Sequence, residues 1–190
     1  MNNRNYDSYC GLYCGACDIL TAYKTGHKTR FSYFWSGTLL KRFLRAQGVD
    51  FQDDESLELK CNGCKSDSLF INCKTCEIRK CAIGKKVDHC TDCTEYPCST
   101  LVGRKKIEGL LPHIKSTHSN LDAIKSKGVD WWLSEQEKQW QCPECRTSFA
   151  WYTTTCGTCG KDLRKSTFTF TFLQSALLKL GLRLASLKKS

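Results

Sequence analysis

Fifteen cysteines set the chemistry open to this chain, because a thiolate is a nucleophile, a redox centre and a ligand for soft metals. Cys73-x2-Cys76-x4-Cys81 is followed by Cys90-x2-Cys93-x4-Cys98, each sulfur recurring 17 positions later. Further on, Cys142-Pro-Glu-Cys145, ten residues and Cys156-Gly-Thr-Cys159-Gly repeat a C-x2-C pair. Two such pairs on tight turns place four sulfurs at the corners of a tetrahedron, the geometry of a structural zinc site. Cys142, Cys145, Cys156 and Cys159 therefore read as a zinc ribbon closed by a β-hairpin. Gly157 and Gly160 supply backbone freedom to its second turn, and Trp140, Trp151 and Tyr152 pack around it. A rubredoxin-like iron centre would use the same ligands.

Eleven thiols remain: Cys10, Cys14, Cys17, Cys61, Cys64 and the twin triads Cys73, Cys76, Cys81 and Cys90, Cys93, Cys98. Eleven is one short of three four-sulfur sites. His89, His27 or a water would complete the third, and the spacing leaves open which sulfurs share an ion. All fifteen cysteines are expected metal ligands, for about four zinc ions. An iron–sulfur cluster at the N-terminal cysteines is the alternative, although neither triad matches the bacterial run C-x2-C-x2-C-x3-C-P. Cys10-x3-Cys14-x2-Cys17 has the spacing of radical S-adenosylmethionine enzymes, but no large α/β barrel pattern follows it. Cys14-Gly-Ala-Cys17 before a helix start would suit a redox dithiol, since the helix dipole lowers a thiol pKa. Only 13 residues precede it, too few for a βαβ frame.

The elements that must position these sulfurs have little else to hold them. Hydrophobic residues make up 41% of 190, and that share includes the cysteines, so the oily core is thin and a staple is needed. The odd cysteine count and a start, MNNRNYDSYC, without a basic segment before an apolar one point to a reducing, cytoplasmic setting with metal rather than disulfides. No run of 18 apolar residues is present. The formal charge of +10 suggests an anionic partner, but fifteen thiolates offset by about four divalent ions would leave only about +3. There is no HExxH, no phosphate-cradling glycine loop and no Ser/His/Asp arrangement, and His27, His89, His113 and His118 are scattered. No catalytic residue is assigned.

The expected fold is α+β: a small metal-stapled cysteine-knuckle domain with short helices (1–101), a helical connector (102–140), the zinc ribbon (141–165), and a strand and amphipathic helix (166–190). Residues 29–47 read as a helix stopped by Gly48, with Phe31, Phe34, Trp35 and Phe43 in the core. Residues 61–98 are too rich in turns for long elements. Gly128 ends one connector helix and Asp130 caps the next. KSTFTFTF alternates as a strand does. Leu173, Ala176, Leu177, Leu180, Leu184 and Leu187 then share one helical face, with Lys179 and Arg183 opposite. The expected role is a multi-zinc interaction or regulatory module with a protein partner. Nucleic-acid binding through Arg146, Lys161, Arg164 and Lys165 is an alternative, and a membrane surface is not the expected partner.

YCGLYCGACDIL, KCNGCKS and CEIRKCAIGKKVDHCTDCTEYPC, in that order, resemble the prokaryotic family called domain of unknown function 3795, over positions 9–101. GVDWWLSEQEKQWQCPECRTSFAWYTTTCGTCG resembles the zinc ribbon appended in some members. The resemblance implies zinc binding through the cysteines and no particular reaction. The tail after position 166 lies outside it.

Overall fold

The computed structural model of the chain describes residues 6–27, 29, 32, 41, 45, 59–176 and 180. A 3-10 turn at Cys14–Ala16 leads into α1 (Asp18–Thr25), which buries Ile19, Leu20 and Ala22 and stops where Gly26 turns left-handed. After α2 (Ile71–Lys74), α3 (Glu77–Lys85) buries Ile78 and Ala82, four apart and so on one face. A 3-10 turn at Cys90–Asp92 precedes α4 (Ser99–Gly103) and two further 3-10 segments, Arg104–Ile107 and Pro112–Ser116. The helices α5 (Thr117–Lys127) and α6 (Val129–Gln139) pack on each other across Gly128. That glycine, at φ 86°, is at once the C-cap of α5 and the N-cap of α6. Asp130 lies in the first turn of α6 and not at its cap, where its charge still complements the helix dipole.

One buried cluster runs through these elements. Leu12, Tyr13 and Ala16 meet Leu101, Leu121 and Trp132, and the cluster continues into Trp140, Phe149, Trp151 and Leu163 of the last segment. Gly11 lets the N-terminal loop lie on α5. Its φ is 79°, and a Cβ there would fall 2.8 Å from both the Leu121 side chain and the Thr117 carbonyl oxygen. The Asn120 side-chain amide donates to the Gly11 carbonyl at 2.8 Å, so the loop is tied to the helix as well as pressed on it.

The expected α+β class is wrong. The structure is helix-rich and, among the described residues, extended pairing is limited to isolated bridges at Asp7–Tyr13, Gln141–Ser148 and Thr155–Asp162, with no sheet. The ribbon's β-hairpin is therefore absent. Its cross-turn pairing stops at single bridges: the Phe149 N–H donates to the Trp140 carbonyl beside the Gln141–Ser148 bridge and the Leu163 N–H to the Thr154 carbonyl beside the Thr155–Asp162 bridge, while the Trp151 N–H leaves for Ala16. The chain between the two bridges is drawn onto the core by Phe149, Trp151 and Tyr152, and the Trp151 amide is spent on Ala16, so the pairing does not extend into a ladder. Nor is the KSTFTFTF segment a strand. Its alternation is genuine, since Phe168 and Phe170 turn to Trp140 and Tyr152 while Thr169 is exposed. Among the described residues it has no strand beside it, and the Phe168 N–H donates to the Trp151 carbonyl. The turn-rich block 61–98 also holds a nine-residue helix, α3.

Most of the expected helix over 29–47, with Phe31, Phe34, Trp35 and Phe43 and the stop at Gly48, falls outside the described residues, as does most of the terminal helix. Residues 172–176 are helical, with Phe172 and Leu173 exposed.

Candidate metal centres

Two matching turns carry the C-terminal tetrad. The Arg146 N–H donates to the Cys142 carbonyl and the Gly160 N–H to the Cys156 carbonyl, at 2.9 and 3.0 Å. The Cys142 N–H reaches Thr147, and the Cys156 N–H reaches Lys161, closing each turn from its other side. Both turns end on a left-handed residue directly after the second cysteine: Arg146 at φ 61° and Gly160 at φ 75°. Gly157 is not left-handed, so the freedom expected of it is not used. This geometry aims four sulfurs inward. All four lie within 4.8 Å of one another, with Cys142 and Cys159 at 3.5 Å and Cys145 and Cys156 at 3.6 Å. Four thiolates on one tetrahedral zinc at about 2.3 Å would sit about 3.8 Å apart. The donor set fits a single thiophilic ion.

The electrostatics favour thiolates at part of this group. A hydrogen bond with Thr147 holds Cys145 down to about 6, and the Cys159 and Thr158 backbone N–H groups lower Cys156. Such sulfurs are ready to bind an ion near neutral pH.

Among the described residues, that closeness is reached by no other group of three or more candidate ligands. The remaining eleven cysteines are nevertheless gathered near one another. Burial pushes Cys17 up to about 12 and Cys14 well upward, with Cys61 and Cys64 among the neighbours that add to it. Cys73 hydrogen bonds with Cys61 and holds it down to about 6. The helix start after Cys17 does not give the lowered thiol that a redox dithiol needs, because burial outweighs the nearby backbone N–H groups. Arg104 points its Nη1 at the Cys10 Sγ at 3.1 Å, with the Ser8 hydroxyl 3.3 Å from the same sulfur. No sequence signal separates Arg104 from its neighbours Lys105 and Lys106. Cys81, Cys90, Cys93 and Cys98 line one small cavity.

His89 is placed for another task than metal binding. Its Nε2 lies 2.9 Å from Asp7, and its ring also accepts the Asp92 N–H in a reciprocal cap of the Cys90–Asp92 turn. Lys65 completes the buried group at 2.6 Å from the same Asp7 oxygen. This arrangement pins residues 65 and 89 to the N-terminal loop. His113 is buried too: it stacks on Trp151 at 4.4 Å and meets the Tyr152 hydroxyl at 2.7 Å. Burial, helped by Arg104, pushes its pKa down to about 3, so the imidazole is neutral.

The pattern of the family described as protein of unknown function (DUF3795) matches residues 6–103. The chain belongs to this family. The DUF3795 region thus holds Cys10 to Cys98, and the tetrad stands outside it, on the same core. No curated protein and no solved structure matches the chain. Among the described residues no helix is long and apolar enough to cross a membrane.

Proposed function

We propose that this chain is a zinc-stapled interaction or regulatory module rather than an enzyme. The observation that carries the reading is the convergence of Cys142, Cys145, Cys156 and Cys159 within 4.8 Å. Four protein sulfurs fill a tetrahedral ion, so no position is left for water or substrate, and the ion's role is to hold structure. What it holds is the last segment on the DUF3795 region: the Trp151 N–H on Ala16, and the Trp140, Phe149 and Leu163 side chains in the shared core. The zinc takes the place of the missing hairpin ladder as the link between the two turns.

The partner in this reading is a protein. Phe172 is 92% exposed and Leu173 is 66% exposed, which offers apolar contact at the edge of the stapled segment. Two of the cations that would serve a nucleic-acid face are already paired, Lys161 with Glu144 at 2.7 Å and Arg164 with Asp162 at 2.5 Å. That pairing weighs against phosphate binding there.

Elemental analysis of protein purified without oxygen tests the proposal. Zinc is expected, one equivalent of it lost in the double variant Cys142→Ser/Cys156→Ser. Tryptophan fluorescence of that variant should shift to the red as Trp140 and Trp151 loosen. Tetrad metal found as iron, or a variant that keeps every equivalent, would sink the zinc staple.

A further inference from the structure

We propose that the C-terminal tetrad is a peroxide-sensitive switch, in which Cys159 meets the oxidant, Cys142 closes a disulfide onto it, and the metal is given up. The inference rests on the zinc staple proposed above and adds the way that staple is undone. The four sulfurs of the tetrad are not equivalent. Cys142 is fully buried and Cys156 nearly so, whereas Cys159 is exposed. A dissolved oxidant therefore reaches Cys159 first and has no path to Cys142 from solvent. Coordination keeps all four as thiolates, the nucleophilic form of the group.

The resolving sulfur is already in place. The Cys142 Sγ lies 3.5 Å from the Cys159 Sγ, across from one turn to the other, so a disulfide needs about 1.5 Å of approach. Two contacts join the turns without involving the ion: the Thr147 hydroxyl donates to the Thr158 hydroxyl at 3.1 Å, and Lys161 pairs with Glu144 at 2.7 Å. They keep Cys142 facing Cys159 while the coordination is lost. The Cys159 Sγ attacks one oxygen of hydrogen peroxide; the O–O bond breaks, hydroxide leaves and a sulfenic acid forms. The Cys142 thiolate then attacks that sulfur; the S–O bond breaks, a second hydroxide leaves and the S–S bond forms. Two thiolates lose two electrons, the peroxide takes them up, and two protons from solvent turn the hydroxides into water. Cys145 and Cys156 alone remain as ligands, two of the four that a structural zinc site uses, so a chelator in solution takes the metal. The new bond crosses between the turns, so the last segment exchanges one link for another, and a thiol reductant restores the first.

The test uses wild-type, full-length protein purified without oxygen, so no variant has to fold for the switch to be read. An equimolar amount of hydrogen peroxide is added in the presence of a colorimetric zinc chelator, and disulfides are located by peptide mapping without reduction. A Cys142–Cys159 cross-link is expected as the tetrad's first oxidation product, with one zinc released per cross-link and both changes reversed by dithiothreitol and added zinc. Cross-links within the turns, Cys142 to Cys145 or Cys156 to Cys159, would overturn the proposal. So would Cys159 carried on to sulfinic acid beside a free Cys142 thiol, or a cross-link that leaves the zinc bound. The staple itself is judged before any peroxide is added, by the zinc lost in Cys142→Ser/Cys156→Ser. No zinc at the tetrad removes both readings, whereas a zinc-loaded tetrad that stays reduced while other cysteines oxidise removes the switch alone.

Discussion

The C-terminal tetrad and the cavity thiols each bring four cysteines together, the first in a closed knot and the second around an open space. The tetrad is built from two copies of one local turn, so its geometry is written into short stretches of chain. The cavity group needs α3, the Cys90–Asp92 turn and the start of α4 to arrive together. The twin triads show the same lesson. Although Cys73-x2-Cys76-x4-Cys81 and Cys90-x2-Cys93-x4-Cys98 have equal spacing, their surroundings differ. Cys76 caps α3 and Cys81 lies on it, five residues apart, which is about 7.5 Å of helical rise. Cys93 and Cys98 are joined by a non-helical turn and face one cavity. Equal spacing therefore does not make equal surroundings: Cys73 bonds with Cys61, while Cys81 lines the cavity of the second triad.

The difference predicts where damage spreads, and Gly11→Ala should have the largest effect. The new methyl would need both a left-handed backbone and space already taken by Leu121 and Thr117. Strain and overpacking together should lower stability by about 3 kcal/mol in denaturant unfolding. Because the loop beside Cys10 presses on α5, metal in the DUF3795 region should be held less firmly, while the tetrad keeps its ion. Equal loss from both regions would break the contrast between a locally built centre and one assembled from distant segments.

Much of this was legible in the sequence, and the limits have physical causes. The tetrad could be found because each C-x2-C pair is a tight turn in itself, closed by Arg146 in the first and Gly160 in the second. The helices α5 and α6 followed from Gly128, a stop for one and the boundary of the next. The hairpin could not be excluded by spacing, because what removed it was long-range: Trp151 bonding Ala16, 135 residues earlier. That Cys81 lines a cavity with the later triad was hidden for the same reason, since it depends on α3 forming between turn-like cysteines. His89 next to Cys90 looked like a ligand. Its true partner, Asp7, lies 82 residues away and left no local mark.

His113 sits where the two regions join, and it sharpens the comparison by asking whether they share one fold. It is buried at 6% exposure against Trp151 and Tyr152. Its folded pKa is about 3, while an unfolded histidine titrates near 6.5. Below pH 6.5 the unfolded chain takes up a proton that the folded chain refuses. Stability should therefore be full above about 6.5 and fall by up to about 1.4 kcal/mol per pH unit as pH drops toward 3. Thiolate protonation and metal loss act in the same direction, so the comparison is with His113→Phe across the same pH series. The variant's curve should be flatter by one proton. In the wild type the His113 ring resonances should stay constant from pH 8 to 5. A midpoint in that window would mean that the stack on Trp151 is loose and the two regions are not packed as one.

The smallest expected effect concerns the two turns of the tetrad, which differ at one position. Each ends in a left-handed residue, Gly160 in the second turn and Arg146 in the first. A side chain in that conformation costs about 1–2 kcal/mol, and glycine in the same place gives back part of the gain as unfolded-state entropy. Arg146→Gly should thus stabilise by about 0.5–1 kcal/mol. Arg146 is exposed, so little packing is lost with its side chain. Gly160→Ala should do the opposite by about 1 kcal/mol, and purely through backbone strain, because a Cβ there meets nothing within 4 Å. Opposite signs from the two substitutions, measured on metal-loaded protein, would show that the turns are one device used twice. If instead both substitutions destabilise, Arg146 holds its turn by some contact of its side chain, and the equivalence of the two halves of the tetrad fails.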